Sequence, residues 1–451
     1  MVQWLDWFFW QAHNKLRRSI LLMSENKRVL YKEYKIFLLI SFLFVIMAFT
    51  FDRASDIFSG LGRILTHRGL LITDFMYVGG LGAAILNSAL ACFYGVAVLY
   101  FMRAKPTGAA IMCLWMTAGW TFWGATVLSI LPLTCGVWLY SRYKKTPFSD
   151  YVVAALLCHA IAPIVSLFYF SNPIFYHTGI ELPIAVNIAK GVFVGLFVGF
   201  FLPIILAAMV RMHDGFTLYN MGVAGGMIAM LISAVFSGFG VVIPTESMWY
   251  TERQFEIAIF LFVTFAALIL AGLISGRGSK TPHLESMKNL VAQSGHAPND
   301  FYSLFGSTAY INMGLLGVIG TAWSLIFGFA LNAGTFACIF SMVAFGSLGK
   351  HIKNVIPILI GATICAFINS VDLTAPSNAL AILFATCLAP IAGKYGFFWG
   401  MVTGFLHVLI VTHIGPVTNG MNLYNNGFAS GFVALILVPI IVALKRKATK
   451  E

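Results

Sequence analysis

From residue 36 to residue 444 the sequence is a succession of apolar runs of bilayer-crossing length, parted by short polar turns. Lipid offers the backbone no hydrogen bonds, so such runs fold as helices whose N–H and C=O groups pair internally. A water-soluble fold is excluded, because 59% hydrophobic and 10% charged residues leave too few polar side chains to cover a surface. The expected class is an all-α polytopic membrane protein with about fourteen membrane segments. They are expected near 36–51, 75–101, 107–123, 125–140, 151–170, 183–210, 222–242, 254–275, 308–331, 333–348, 354–371, 376–393, 396–413 and 427–444. The short runs 107–123 and 333–348 are candidates for re-entrant hairpins.

One block occurs twice. Residues 215–226 read Gly-Phe-Thr-Leu-Tyr-Asn-Met-Gly-Val-Ala-Gly-Gly, and residues 420–431 read Gly-Met-Asn-Leu-Tyr-Asn-Asn-Gly-Phe-Ala-Ser-Gly. Gly215, Leu218, Tyr219, Asn220, Gly222, Ala224 and Gly226 return as Gly420, Leu423, Tyr424, Asn425, Gly427, Ala429 and Gly431. At residue frequencies of roughly 7–10%, one placed match of this kind has a chance on the order of 10⁻⁷, so duplication is the better account. Other pairs keep the same order: Gly124, Pro132 and Gly136 with Gly349, Pro357 and Gly361, and Ala162-Pro163-Ile164 with Ala389-Pro390-Ile391. The spacing between copies drops late in the chain, which places an insertion in the first copy around Ser171 to Pro183.

Charge orients the spans. Net charge is +12, and with both ends cytoplasmic Arg103, Lys105, Arg142, Lys144, Lys145, Arg211, the 276–306 linker, Lys350, Lys353, Lys394 and the C-terminal cluster all fall on the cytoplasmic side. This basic excess serves topology, and nucleic-acid binding is not expected. In that arrangement the first repeat starts outside and the second inside, so the two are inverted. The chain divides into a basic and aromatic interfacial segment (1–35), a first span and loop (36–74), repeat one (75–242), a connecting span and cytoplasmic linker (243–307), repeat two (308–444) and a basic tail (445–451). The N-terminus does not read as a cleaved secretory signal, and the implied location is a bacterial cytoplasmic membrane.

The seven cysteines lie in apolar runs without metal-ligand spacing, and no cofactor or metal is expected. There is no P-loop, HExxH or GxSxG motif. His213-Asp214 could serve catalysis, but the second copy has Thr418-Asn419 there, so no enzyme is expected.

Matching interruptions in two inverted halves point to a shared pathway. The candidate binding residues are Tyr219, Asn220, Gly222, Tyr424, Asn425 and Gly427, with Asp150 and Asn378 at the mouths of matching helices and His407 and Lys190 at membrane depth. The milder account of the same residues is structural: Tyr as interfacial anchor, Asn as helix cap and Gly-x-x-x-Gly as close packing, with Lys190 snorkelling to the surface.

The paired Tyr-Asn-x-Gly blocks resemble segments of the urea transporters, which are also inverted duplications, and Asp372–Leu380 resembles the Pro-rich filter signature of that family. As a whole the chain resembles a family of duplicated bacterial multi-pass membrane proteins of unknown function; that resemblance implies topology and duplication and names no substrate. The expected function is a transporter or channel for a small neutral or anionic solute. A membrane enzyme or lipid-handling protein and a structural or sensory component are the alternatives. The bilayer and the solute are the expected partners, and self-association is left open.

Overall fold

The computed structural model describes residues 30–171, 182–241, 243, 246–278, 281–369 and 372–448. Most of the basic N-terminal segment, most of the insertion and residues 449–451 lie outside the described residues. Those described form helices and turns without a strand.

The chain opens with α1 (Lys32–Phe51). The first copy comprises α2 (Ala54–Leu65), α3 (Phe75–Gly79), α4 (Leu81–Met102), α5 (Gly108–Trp120), α6 (Val127–Lys144), α7 (Phe148–Phe170), α8 (Ile184–His213) and α9 (Asn220–Gly238). After α10 (Gln254–Ser275) the series repeats as α11 (His283–Val291), α12 (Phe301–Phe305), α13 (Thr308–Ile326), α14 (Ala333–Phe345), α15 (Ile352–Ile368), α16 (Pro376–Tyr395), α17 (Phe397–Val411) and α18 (Asn425–Ala448). Among the described residues nine helices are long and apolar enough to cross a membrane, and four shorter ones are apolar. With α6 these make the fourteen expected segments. The bilayer therefore meets surfaces such as that of α8, where Phe193, Phe197, Phe201 and Ile204 are exposed at helical spacing.

Two local features differ from the sequence reading. The run at 75–101 is broken by Gly80, whose φ of 95° suits a residue without Cβ. The loop before it holds α2, a short helix whose Gly60 packs onto the Gly79 backbone.

Two short buried helices set the relation between the copies. α5 starts where the Gly108 N–H donates to both carboxylate oxygens of Asp300 (3.0 Å each), and the chain after it reaches Phe75, whose N–H donates to the Phe122 carbonyl (3.1 Å). α14 starts where the Ala333 N–H donates to Asp74 (3.0 Å), and the chain after it reaches Tyr302, whose N–H donates to the Ser347 carbonyl (3.1 Å). Equivalent helices thus run antiparallel between the same two anchors. A half-turn exchanges them, which makes the copies inverted repeats. Asp74 and Asp300 each cap a helix of their own copy and a helix of the other.

The repeated glycines allow close backbone approach. A Cβ on Gly136 would sit 2.4 Å from the Leu196 carbonyl oxygen, and one on Gly361 would sit 1.9 Å from that of Met401. Pro132 packs beside Gly195 and Pro357 beside Gly400, so α6–α8 and α15–α17 cross in the same way.

Candidate functional site

The duplicated block follows a tight reversal. Asp214 and Asn419 have φ of 47° and 45°, and the glycines after them have φ of 71°. Asp, Asn and Gly are the residues that tolerate this left-handed region. His213-Asp214 is therefore turn chemistry: the His213 ring hydrogen-bonds Asn220 Oδ1 (2.9 Å), as Thr418 does Asn425 (2.9 Å). The chain then turns back into the protein as α9 and α18. These helices cross where a Cβ on Gly222 would lie 2.7 Å from Gly427 Cα. Blocks that approach from opposite sides thus meet inside the molecule.

Opposite each block a helix is interrupted. Pro163 and Pro390 have no N–H to give the carbonyl four residues earlier. α7 and α16 accordingly loosen into 3₁₀ turns at Cys158–Ile161 and Ala385–Leu388. The Leu423 N–H donates to the Ala160 carbonyl (2.8 Å) and the Leu218 N–H to that of Cys387 (2.9 Å), each three residues before the proline. These breaks carry His159 and Thr386, one turn before each proline.

Tyr219 and Tyr424 enter the centre between these breaks, both buried. Each reaches into the opposite copy. The Tyr424 hydroxyl hydrogen-bonds His159 Nε2, while His159 Nδ1 lies 2.7 Å from the Leu156 carbonyl. A carbonyl only accepts, so Nδ1 holds the proton and the Tyr424 hydroxyl donates to Nε2. The Tyr219 hydroxyl is met by Lys350 Nζ at 2.8 Å, and Nζ also donates to Thr386 Oγ1 at 2.9 Å. Aromatic rings close the centre: Trp120 lies 3.8 Å from Tyr424 and stacks on Phe384 at 5.3 Å, and Phe345 lies 4.9 Å from Tyr219.

Lys350 is wholly buried. Among the described residues no ion pair reaches it: the pairs are Lys32–Glu33, Arg68–Glu246 and Arg253 with Asp52 and Glu256. Its backbone is held by Asn312, which donates to the Gly346 and Lys350 carbonyls (2.8 Å each). Asn87 does the same for Thr121 and Ala125 in the first copy, so Ala125 stands where the second copy has lysine. The positive-inside count puts Lys350 in a cytoplasmic loop, and the structure puts it in the core. The signal available in the sequence was the unmatched lysine one residue after the repeated Gly349.

A cavity of about 260 Å³ reaches this centre from one side. Its lining includes Gly295, Ala297 and Asn299 of the linker, Met112, Met116 and Leu157, and at the centre Tyr219, Phe345 and Tyr424. His213, Asn220 and Thr217 are its polar lining. At the equivalent place in the other copy, described side chains crowd Gly334. A Cβ on Gly334 would lie 2.8 Å from Leu380 and 3.1 Å from the Trp123 ring, which itself packs on Trp249 at 5.3 Å.

Of the candidate residues, Tyr219, Asn220, Gly222, Tyr424, Asn425 and Gly427 come together here. Asn425 is buried and its Nδ2 has no hydrogen-bond partner among the described residues. The other four are elsewhere. Asp150 is exposed at the start of α7. Asn378 donates to the Asp372 carbonyl (2.6 Å) within its own helix start. His407 is buried and bonds Asn426 (3.2 Å), tying α17 to α18. Lys190 is half-buried in the first turns of α8, ahead of the part that matches α17, and does not line the cavity.

Fold and site define a multi-pass membrane protein in which two inverted repeats exchange a tyrosine each across a buried aromatic centre. The chain belongs to the family described as protein of unknown function DUF1576, whose model matches residues 53–238 and again 279–443. No curated protein and no solved structure matches it.

Proposed function

We propose that this protein is a transporter for a small neutral or anionic solute, which binds between the repeats and crosses by alternate opening of two equivalent vestibules. One observation carries the reading: the copies share sequence pattern and fold, yet among the described residues a cavity reaches the central tyrosines in one, while in the other Trp123 and Leu380 crowd the equivalent position. Inverted repeats that adopt unlike arrangements are the structural basis of alternating access, since exchanging the two arrangements moves the opening to the other side.

Transport suits the lining better than catalysis does. Among the described residues that line the cavity there is no serine, cysteine or carboxylate to act as nucleophile or base, and one nitrogen of His213 is committed to Asn220. We place the protein in the bacterial cytoplasmic membrane with both ends cytoplasmic. The linker residues lining the cavity then lie on the cytoplasmic side, which favours reading this arrangement as the inward-facing one.

The test is site-directed labelling. Met112→Cys and Ala337→Cys stand at equivalent positions, in the open and the closed vestibule. In sealed vesicles a membrane-impermeant maleimide should label the first from the cytoplasmic side and the second from the other, with reactivities that move in opposite directions when conditions shift the conformation. Simultaneous labelling of both positions in one molecule would indicate a continuous channel, and absence of any coupling between them would reject alternating access.

A further inference from the structure

We propose that Lys350 binds the charged head of a small organic monoanion and takes up a proton as that anion binds. The proposal deepens the transporter reading and rests on it for its physiological meaning, but it is a statement about binding and stands or falls on binding.

An ammonium has three N–H donors. The structure gives Lys350 two acceptors, Tyr219 and Thr386, and among the described residues no counter-charge. The titratable groups facing it are the Tyr219 phenol from the start of α9, Cys338 from α14 and Cys387 from α16; none is a carboxylate. A cation buried without an anion is costly, and lysine avoids the cost by shedding its proton. In the empty site the amine is therefore neutral and accepts the Tyr219 hydroxyl across the same 2.8 Å.

The Tyr219 ring separates Lys350 from the cavity. Nζ lies 4.5 Å from the centroid of that ring, and Tyr219 forms the inner end of the cavity. Displacing one side chain puts the amine at the end of a chamber walled by Met112, Met116, Leu157 and Phe345. That combination takes a ligand with one negative head and an apolar body. The anion supplies the missing counter-charge, so the amine picks up a proton from cavity water: R–NH₂ plus H⁺ plus A⁻ gives R–NH₃⁺·A⁻, with no net charge brought into the protein beyond the pair itself. Thr386 keeps one N–H, and the anion takes the direction that Tyr219 leaves.

The experiment is calorimetric titration of the purified full-length protein in nanodiscs with 4-methyl-2-oxopentanoate, and separately with pyruvate. It is run at pH 8 in HEPES and in Tris, whose ionisation enthalpies differ. The expected result is saturable binding with about one proton taken up per anion, tighter for the larger probe. Lys350→Met should weaken binding at least tenfold. Lys350→Arg should bind with the proton uptake gone, because guanidinium stays charged. Thr386→Val should weaken binding several-fold and keep the proton uptake. Size-exclusion profiles and melting curves confirm that each variant is folded, and the arginine variant keeps the test decisive if the methionine variant is not. Binding by neither probe, binding indifferent to Lys350→Met, or binding without proton uptake in the wild type each overturns the proposal. Proton-linked binding in a protein whose two vestibules never alternate would leave this site standing and remove the transporter, and the reverse outcome would do the opposite.

Discussion

Lys350 of the second copy is hydrogen-bonded across 2.8 Å to the hydroxyl of Tyr219 in the first, whereas His159 of the first copy receives the hydroxyl of Tyr424 in the second. The backbone at these two places is related by the repeat, and the polar partners are not. One tyrosine is held by a basic side chain from a loop, the other by an imidazole from a helix break. The symmetric frame and the asymmetric chemistry are separable by mutation.

Tyr219→Phe leaves Lys350 with Thr386 as its one hydrogen-bond partner in the described core. The expected cost is about 1–3 kcal/mol, that of a buried polar group losing its partner. Tyr424→Phe leaves His159 Nε2 without a donor and should cost a similar amount. Each loss is read as a fall in melting temperature of the purified protein. A Tyr219→Phe change without such a fall would mean that the Lys350 contact contributes nothing to the fold.

Gly222→Val should be worse than either. A Cβ there meets Gly427 Cα at 2.7 Å, and both partners are backbone, so nothing flexible can give way. Overpacking of this kind typically costs about 1–3 kcal/mol or more, and loss of monodisperse protein is the expected readout. Gly62→Ala is the control, because a Cβ on Gly62 meets nothing within 4 Å. In the interior of α2 that change should be neutral or stabilising by up to about 1 kcal/mol.

The two cross-copy caps make a matched pair. Asp74 accepts from Met76, Tyr77, Tyr250 and Ala333, and Asp300 accepts from Ser303 and Gly108. Asp300→Ala should cost about 1 kcal/mol, the usual worth of a cap. Asp74→Ala should cost more, since Asp74 serves two further N–H groups in a buried setting. Melting curves of the two single variants rank them, and equal losses would contradict the difference in partners.

Trp123→Ala should open the vestibule that Trp123 and Leu380 now fill. The expected effect is faster maleimide labelling of Ala337→Cys from the non-cytoplasmic side, at a stability cost of about 3–5 kcal/mol for removing a buried tryptophan. Unchanged labelling in folded protein would show that Trp123 is not the plug.

Much of the fold was legible because its determinants are local. Apolar runs mark the segments whatever packs beside them, whereas the breaks at Gly80, Pro163 and Pro390 entered only with the structure. The Tyr-Asn-x-Gly block stood out because each of its positions does the same job twice: the left-handed turn at Gly215 and Gly420, the crossing at Gly222 and Gly427, the tyrosines inward. Asp150, Asn378, His407 and Lys190 were singled out on polarity within apolar runs. That criterion does not separate a residue serving its own helix from one facing the centre. Asn378 satisfies a nearby carbonyl, and His407 ties two neighbouring helices.

Lys350 shows where the sequence stops. A lysine between two spans obeys the positive-inside count, and nothing within a few residues marks it as buried. Its environment comes from Tyr219, 131 residues away, and Thr386, 36 residues away, brought together by the inverted packing of the copies. Duplication, helical class and the inward-turning blocks follow from the sequence alone, because hydropathy, turn chemistry and repetition act over short range. The pairing of Lys350 with Tyr219, of His159 with Tyr424, and the place of the cavity were decided by tertiary structure, because each depends on which distant side chain occupies a shared buried volume.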